Sequence, residues 1–317
     1  MSEFELIRRY FTRPAPGAVL GVGDDAALLN IASGMQLAIS TDMLVSGTHF
    51  FADADPFLLG HKTLAVNLSD IAAMGAQPRW ATLSLALPEV DEAWLERYSR
   101  GFFELAQQYG VELIGGDTTR GPLNLCVTIM GVVPAGSALR RDGARSGDDI
   151  WISGTLGDAA LALAHLQQRI QLDESAWLIC AAALHQPQPR VALGLALRDI
   201  AHSAIDISDG LLADLLHILE ASQLGGQIEF AALPISATAR RYLDRPFGRR
   251  CVLAGGDEYE LCFTAPVARR IEIEDISVRL NVPLTRIGKA VAGSGCVVCA
   301  ADGSIINIEE HGYDHFR

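Results

Sequence analysis

The chain has 317 residues, half of them hydrophobic and one fifth charged, with a formal charge of -13. That size and composition predict a folded, two-domain protein, and the acid surplus argues against nucleic acid, whose phosphates want a basic face. No apolar run is long enough to span a bilayer, and the opening residues, with Glu3, Glu5, Arg8 and Arg9, do not read as a signal peptide; the expectation is a cytoplasmic protein with no membrane partner.

In chain order, Phe4 to Phe11 has helical spacing and stops before Pro14, Pro16 and Gly17. Leu20 leads into the glycine turn Gly21-Val22-Gly23-Asp24-Asp25, and Leu37 to Asp42 reads as a strand ending on oxygen ligands. Asp55-Pro56 is a helix start, with Asp as cap and Pro in the first turn, and the helix should run from about Phe57 to Met74. Asp70 lies near its end among alanines, so its carboxylate needs a partner. Trp80 to Leu87 alternates as a strand, Asp91 caps a helix reaching Tyr109 with Gly110 beyond it, and Val111 to Gly116 and Leu123 to Val133 read as strands.

Pro134 to Asp149, rich in Gly, Ser, Arg and Asp, is the expected boundary, giving domains of residues 1-136 and 137-317. Beyond it, Ile150 to Ser153 reads as a strand. Helices are expected from Gly157-Asp158 through His165, around Glu174 to Leu184, and over Arg190 to Ile200. Ser203 to Ile207 looks extended, and Asp209-Gly210 opens a helix from Leu211 to Ala221. Tyr259 to Thr264, Val282 to Ile287 and Cys296 to Cys299 supply later strands. The alternation describes an α/β (α+β) protein with mixed sheets flanked by helices, and a strand ending in Asp in each half hints at internal similarity.

Six cysteines without a compact framework fit reduced thiols. Cys296-Val297-Val298-Cys299 has the spacing of a zinc or redox half-site, but strand alternation explains it and no second pair follows. Lysine occurs only at positions 62 and 289, and there is no Gly-x-x-x-x-Gly-Lys-Ser/Thr loop, which excludes a P-loop. Any bound phosphate has to be neutralised by metals and arginine. Asp25, Asp42, Asp70, Asp117, Asp206 and Asp209 each sit beside small or polar residues at the expected end of an apolar run. Singly, each is more often a cap or turn than a ligand, since Asp favours both. Together they favour several Mg2+ ions, each taking one or two carboxylates and completing its shell with phosphate and water. Ser208 could donate to a phosphate or merely cap the helix behind it.

Gly21 to Asp25, Ser40-Thr41-Asp42, Asn67-Leu68-Ser69-Asp70, Gly115-Gly116-Asp117, Asp206-Ile207-Ser208-Asp209-Gly210 and the tail Gly312-Tyr313-Asp314-His315-Phe316 appear in an order that resembles bacterial thiamine-monophosphate kinase over nearly the whole chain. The wider superfamily includes aminoimidazole ribonucleotide synthetase and selenophosphate synthetase. The resemblance implies a two-domain aminoimidazole ribonucleotide synthetase-like fold and a homodimer paired through its N-terminal sheets. It implies ATP held between the domains and transfer of the γ-phosphate to thiamine monophosphate. By motif, it implies Mg2+ ligation by Asp25, Ser40, Thr41, Asp42, Asp70, Asp117, Asp206 and Asp209, ATP contacts from Gly116, Asp117, Arg141 and Ser208, and substrate contacts from His49, Asp257 and Tyr313. The family usually reads Gly-Gly-Glu-Asp-Tyr-Glu where this chain has Gly255-Gly256-Asp257-Glu258-Tyr259-Glu260, so the acid at Asp257 is one methylene shorter. No catalytic base is expected, because a phosphate acceptor is already anionic near neutral pH. Two other readings stand beside this one: an ATP-dependent synthetase of the same superfamily, and a non-catalytic nucleotide- or metal-binding module.

Overall fold

The computed structural model of the chain describes residues 2-23, 25-306 and 312-313. It divides into two compact units, Met1–Ile71 with Ala76–Gly136, and Ala72–Gly75 with Ser137–Arg317. Asp24 and the Asp314-His315-Phe316 part of the tail motif lie outside the described residues.

In the first unit, a capping box between Ser2 and Glu5 starts the short helix α1 (Glu3–Leu6), which widens into a π-turn over Ile7–Phe11 and buries Leu6, Tyr10 and Phe11. Strand β1 (Met35–Val45) is followed by helix α2 (Pro56–Ala73), whose first N–H groups, those of Phe57 and Leu58, donate to the Asp55 carboxylate. Strand β2 (Gln77–Leu87), helix α3 (Glu92–Tyr109), strand β3 (Glu112–Arg120) and strand β4 (Asn124–Pro134) complete the unit. Asp91 caps α3 through the N–H groups of Ala93 and Trp94, and Gly110 closes it in the left-handed conformation.

The four strands lie in the order β1-β4-β2-β3, with only β2 and β3 parallel. Along β4, Leu125, Val127 and Ile129 are fully buried while Cys126, Thr128 and Met130 are partly exposed. One face therefore carries the core, and α2 lies on it: a Cβ at Gly131, on that face, would meet Ile71. Two strands run further than their sequence suggests. Met43, Leu44 and Val45 continue β1 past Asp42 by pairing with Cys126, Leu125 and Asn124, and β3 continues through Gly115-Gly116-Asp117 to Arg120 alongside β2. Cross-strand pairing overrides the small and polar residues at both places.

The second unit holds a six-stranded sheet in the order β10-β7-β9-β5-β8-β6. Its elements are strand β5 (Asp149–Ser153), helices α4 (Asp158–Leu166), α5 (Glu174–His185) and α6 (Val191–Leu197), strand β6 (Ser203–Asp206), helix α7 (Leu211–Ala221), strand β7 (Gly225–Glu229), helices α8 (Ala237–Arg240) and α9 (Pro246–Ala254), strand β8 (Leu261–Ala265), helix α10 (Arg270–Leu280), and strands β9 (Leu284–Val291) and β10 (Cys296–Cys299). Central strands β5 and β8 are buried at every residue, as fits strands covered on both faces. The periodicity gave no sign of β7, α8, α9 or α10. Ile271-Glu272-Ile273-Glu274 alternates like a strand, yet it lies in α10, where Ile273 and Ile276 turn inward and Arg270 clamps the buried Asp149 of β5 through two bonds of 2.6 and 2.8 Å.

The contact of α2 with α3 is a tight constraint in the first unit. A Cβ on Gly60 would lie 2.1 Å from the Tyr98 carbonyl oxygen, and one on Gly101 2.0 Å from that of Phe57, so the helices touch backbone to backbone at two points. Gly60→Ala or Gly101→Ala should each destabilise the protein by about 3 kcal/mol, since neither backbone can yield as a flexible side chain would. Urea unfolding measures this; a midpoint equal to that of the wild type would show that the helices separate freely.

Candidate active site

In the first unit, a bridge between Leu20 and Leu28 closes the glycine turn into a loop that carries Asp25. Two groups on α2 hold β1 nearby. The Asn67 amide oxygen accepts from the Asp42 N–H at 3.2 Å, and one turn along, the Asp70 carboxylate accepts from the Ser40 hydroxyl at 2.5 Å. Ser40 and Asp42 share the α2 side of the sheet, since their partners Ile129 and Val127 are core residues. Ser40, Asp42 and Asp70 thus form one group, and Asp70 has the partner its setting demanded.

Thr41 and Asp117 go elsewhere. Thr41 points to the opposite face, its hydroxyl 2.8 Å from that of Thr128. Asp117 aligns with Ser84, Cys126 and Met43 on that same opposite face, three strand spacings from β1, roughly 14 Å. Gly116, beside it, lies so close to β2 that a Cβ would meet the Leu83 carbonyl oxygen at 1.9 Å, so the strand accepts no side chain there. His49, in the turn after β1, accepts the Val45 N–H on Nδ1 at 3.0 Å. Among the described residues, no three His, Cys, Asp or Glu side chains are gathered closely enough to hold a metal by themselves.

In the second unit, three segments remote in sequence meet around one loop. Strand β6 ends at the buried Asp206, and Ile207 to Gly210 turn from it into α7. The Asp257 N–H donates to the Ser208 carbonyl at 2.8 Å, the Tyr259 N–H to the Ile207 carbonyl at 2.8 Å, and the Ile207 N–H to the Glu260 carbonyl at 2.8 Å. From the chain's end, the Tyr313 N–H donates to the Asp209 carbonyl at 3.1 Å. Asp206, Ser208, Asp209, Asp257 and Tyr313 are brought together in this way. Arg141 lies exposed in a single turn of 3-10 helix, Arg141–Gly143, whose carbonyl at Arg141 accepts from the Ser222 hydroxyl.

Asp214 holds this loop from within. One oxygen, Oδ2, accepts from the N–H groups of Ser208 (3.1 Å), Asp209 (3.1 Å) and Gly210 (3.0 Å). These are the donors at the head of a helix that would otherwise suit an anion. An internal carboxylate fills that place, so an incoming phosphate would meet the side chains of Ser208 and Asp209 instead. Burial, reinforced by the nearby Asp209 charge, pushes the Asp214 carboxyl up to about 7 against the pull of its three donors.

Two family models match, AIR synthase related protein, N-terminal domain, over residues 23–133, and AIR synthase related protein, C-terminal domain, over residues 145–299. The chain is 49% identical to thiamine-monophosphate kinase of Escherichia coli strain K12 over 99% of this chain and 98% of that protein, and 43% identical to that of Haemophilus influenzae over 100% and 98%. The chain belongs to the thiamine-monophosphate kinase family. The crystal structure of the family member from Stenotrophomonas maltophilia superimposes with a TM-score of 0.86 at 49% identity, covering 96% of each chain. AaThiL, complexed with AMPPCP and TMP, gives 0.79 at 30%, covering 99% of this chain and 96% of that one. The hydrogenase maturation protein HypE shares the fold, at a TM-score of 0.79 and 24% identity.

Three further acids of the second unit, given no role by the motifs, are held as hydrogen-bond acceptors. Glu258, between Asp257 and Tyr259, points inward and accepts the Gly157 N–H at 2.7 Å at the head of α4; burial holds its carboxyl well above the usual range. Glu260 accepts from Arg190 in a two-pronged pair at 2.6 and 2.5 Å and from the Ser153 hydroxyl. Asp158 accepts from Ser236 at 2.6 Å, and burial raises its carboxyl too. A four-residue offset marks Asp214 as within reach of the loop at Gly210, but nothing local shows that it turns back instead of outward.

The Asp214 carboxyl gives the loop a pH signature. Between the unfolded value of 3.8 and about 7, the folded chain keeps a proton that the unfolded chain has shed, so this group's contribution to stability declines as pH rises through that window. Asp214→Asn keeps an acceptor oxygen without the charge and should remove that decline, unfolding later than the wild type above about pH 7. Asp214→Ala strands three N–H donors and should cost about 3 kcal/mol. Urea titrations of the three proteins across the window measure both effects; a parallel decline in wild type and Asn variant would rule out Asp214 as the source.

Proposed function

We propose that the chain transfers the γ-phosphate of ATP to the phosphate of thiamine monophosphate, giving thiamine diphosphate and ADP. The observation that carries this reading is the convergence of Asp206, Ser208 and Asp209 with Asp257 and Tyr313, held by backbone hydrogen bonds in one unit. Acids placed beside an aromatic residue suit a substrate that carries both a phosphate and a cationic thiazolium ring. Membership of the thiamine-monophosphate kinase family supports the same chemistry.

Both reactants are polyanions, so the barrier to transfer is their mutual repulsion and the protein's task is to position them. The acceptor oxygen is anionic near neutral pH and needs no base to activate it. The donor set contains only carboxylates and hydroxyls, hard oxygens that fit Mg2+. Asp206 and Asp209 in the second unit, and Asp25, Ser40, Asp42 and Asp70 in the first, are the residues that would hold such ions; Thr41 would do so only through its backbone, and Asp117, on the opposite sheet face, would serve a separate ion. Mg2+, when bound, neutralises charge on the transferring phosphate. Gly116, Asp117, Arg141 and Ser208 would contact ATP, and His49, Asp257 and Tyr313 thiamine monophosphate. The N-terminal unit would bind ATP and metal and pair with a second copy, and the C-terminal unit would complete the phosphate and substrate site.

With ATP, Mg2+ and thiamine monophosphate, the purified protein should form thiamine diphosphate and ADP in equal amounts, and chelation of divalent ions should stop the reaction. Asp209→Asn should lower kcat by about 100-fold or more, the loss expected when a few kcal/mol of charge neutralisation goes, with the circular dichroism spectrum kept. Absence of product with metal saturating would remove the assignment, and full activity in Asp209→Asn would remove this loop from it.

A cytoplasmic homodimer completes the reading. Its support is the sheet face opposite α2, where Ile39 is 60% exposed and Met43 55%. Flanked by Thr41, Cys126, Thr128 and Met130, they make an apolar patch suited to a second copy of the same face. Ile39→Asp should convert a dimer to a monomer in light scattering; a wild-type protein already monomeric at micromolar concentration would contradict the pairing.

A further inference from the structure

We infer that Tyr259 is a positioning residue that aims the Asp257 carboxylate at the substrate's cationic ring, an inference that rests on the function proposed above. The Tyr259 hydroxyl donates to Asp257 Oδ1 at 3.2 Å, although its ring is buried and could pack as a phenylalanine. Both residues adopt the left-handed backbone conformation, with φ of +65° at Asp257 and +52° at Tyr259. Non-glycine residues persist in that region only where the surroundings over-determine them, and such residues cluster at functional sites.

Here the surroundings are explicit. Glu258 is anchored inward on Gly157, and Glu260 is clamped by Arg190 and Ser153. The N–H groups of Asp257 and Tyr259 are tied to the loop that carries Ser208 and Asp209. With Glu258 and Glu260 pulled to the interior, the left-handed residues put Asp257 and Tyr259 side by side, next to that loop. Asp257 is partly exposed, and the phenol adds a fixed donor to its carboxylate. The phenol selects one orientation at low entropic cost, because the buried ring is already immobile.

Tyr259→Phe preserves the ring and the backbone requirement and removes the hydroxyl that donates to Asp257. The KM for thiamine monophosphate should rise about tenfold, the effect of one hydrogen bond to a charged group, while kcat and the KM for ATP stay within about twofold and the melting temperature is unchanged. In an Asp257→Asn background, Tyr259→Phe should add little further, giving a strongly non-additive cycle. An unchanged KM for thiamine monophosphate in Tyr259→Phe, an equal rise in both KM values, or additive effects in the cycle would each overturn the inference. A wild-type protein that makes no thiamine diphosphate would instead sink the function on which it rests.

Discussion

At the head of α7, three backbone N–H groups converge on a single carboxylate oxygen of Asp214, and the remaining features of the second unit's site are arranged around that interaction. It fixes the turn from β6 into the helix, and so fixes the carbonyls of Ser208 and Asp209. Those carbonyls are the acceptors that hold Asp257 and Tyr313 in place. A helix terminus without this internal acid would expose the same N–H groups to an external anion. Because the carboxylate occupies them, the loop presents acidic side chains outward, a surface that attracts cations and repels bare phosphate.

The cost of such an arrangement is a concentration of acids in a small volume. Asp206, Asp209, Asp214, Asp257, Glu258 and Glu260 fall within one loop and the segment beside it. The fold separates them by environment. Glu260 is neutralised by Arg190, while Asp214 and Glu258 are buried and held toward their protonated forms. That leaves Asp209 and Asp257 as the partly exposed acids of the group, with Asp206 buried at the end of β6. The first unit uses a different economy: Ser40 and Asn67 satisfy Asp70 and the β1 backbone by direct hydrogen bonds, and the sheet's pleat sends Thr41 and Asp117 to the other face.

Two helices meeting backbone to backbone at Gly60 and Gly101 lay α2, with Asn67 and Asp70, close along β1. A sheet that must carry a core on one face has little freedom on which side its polar residues appear, because side-chain direction alternates strictly along each strand. The placement of Asp42 and Asp117 on opposite faces follows from that alternation and from the register, and from nothing in their immediate neighbours.

What the sequence determined by itself is the set of elements whose signals are local. Asp55-Pro56, Asp91 and Gly110 bound α2 and α3 as expected, because capping depends on residues within one turn. Every strand except β7 is legible from local pattern, as are the family motifs and the loops that carry Asp206, Ser208 and Asp209. Tertiary structure alone decided the rest. Pairing extended β1 and β3 past the polar residues that seemed to end them, and packing made a helix of the alternating Ile271 to Glu274. It also turned Asp214 and Glu258 inward as buried acceptors and brought Tyr313 to Asp209 across about a hundred residues of sequence. Burial and long-range hydrogen bonds are properties of the assembled chain, and no window of neighbouring residues encodes them.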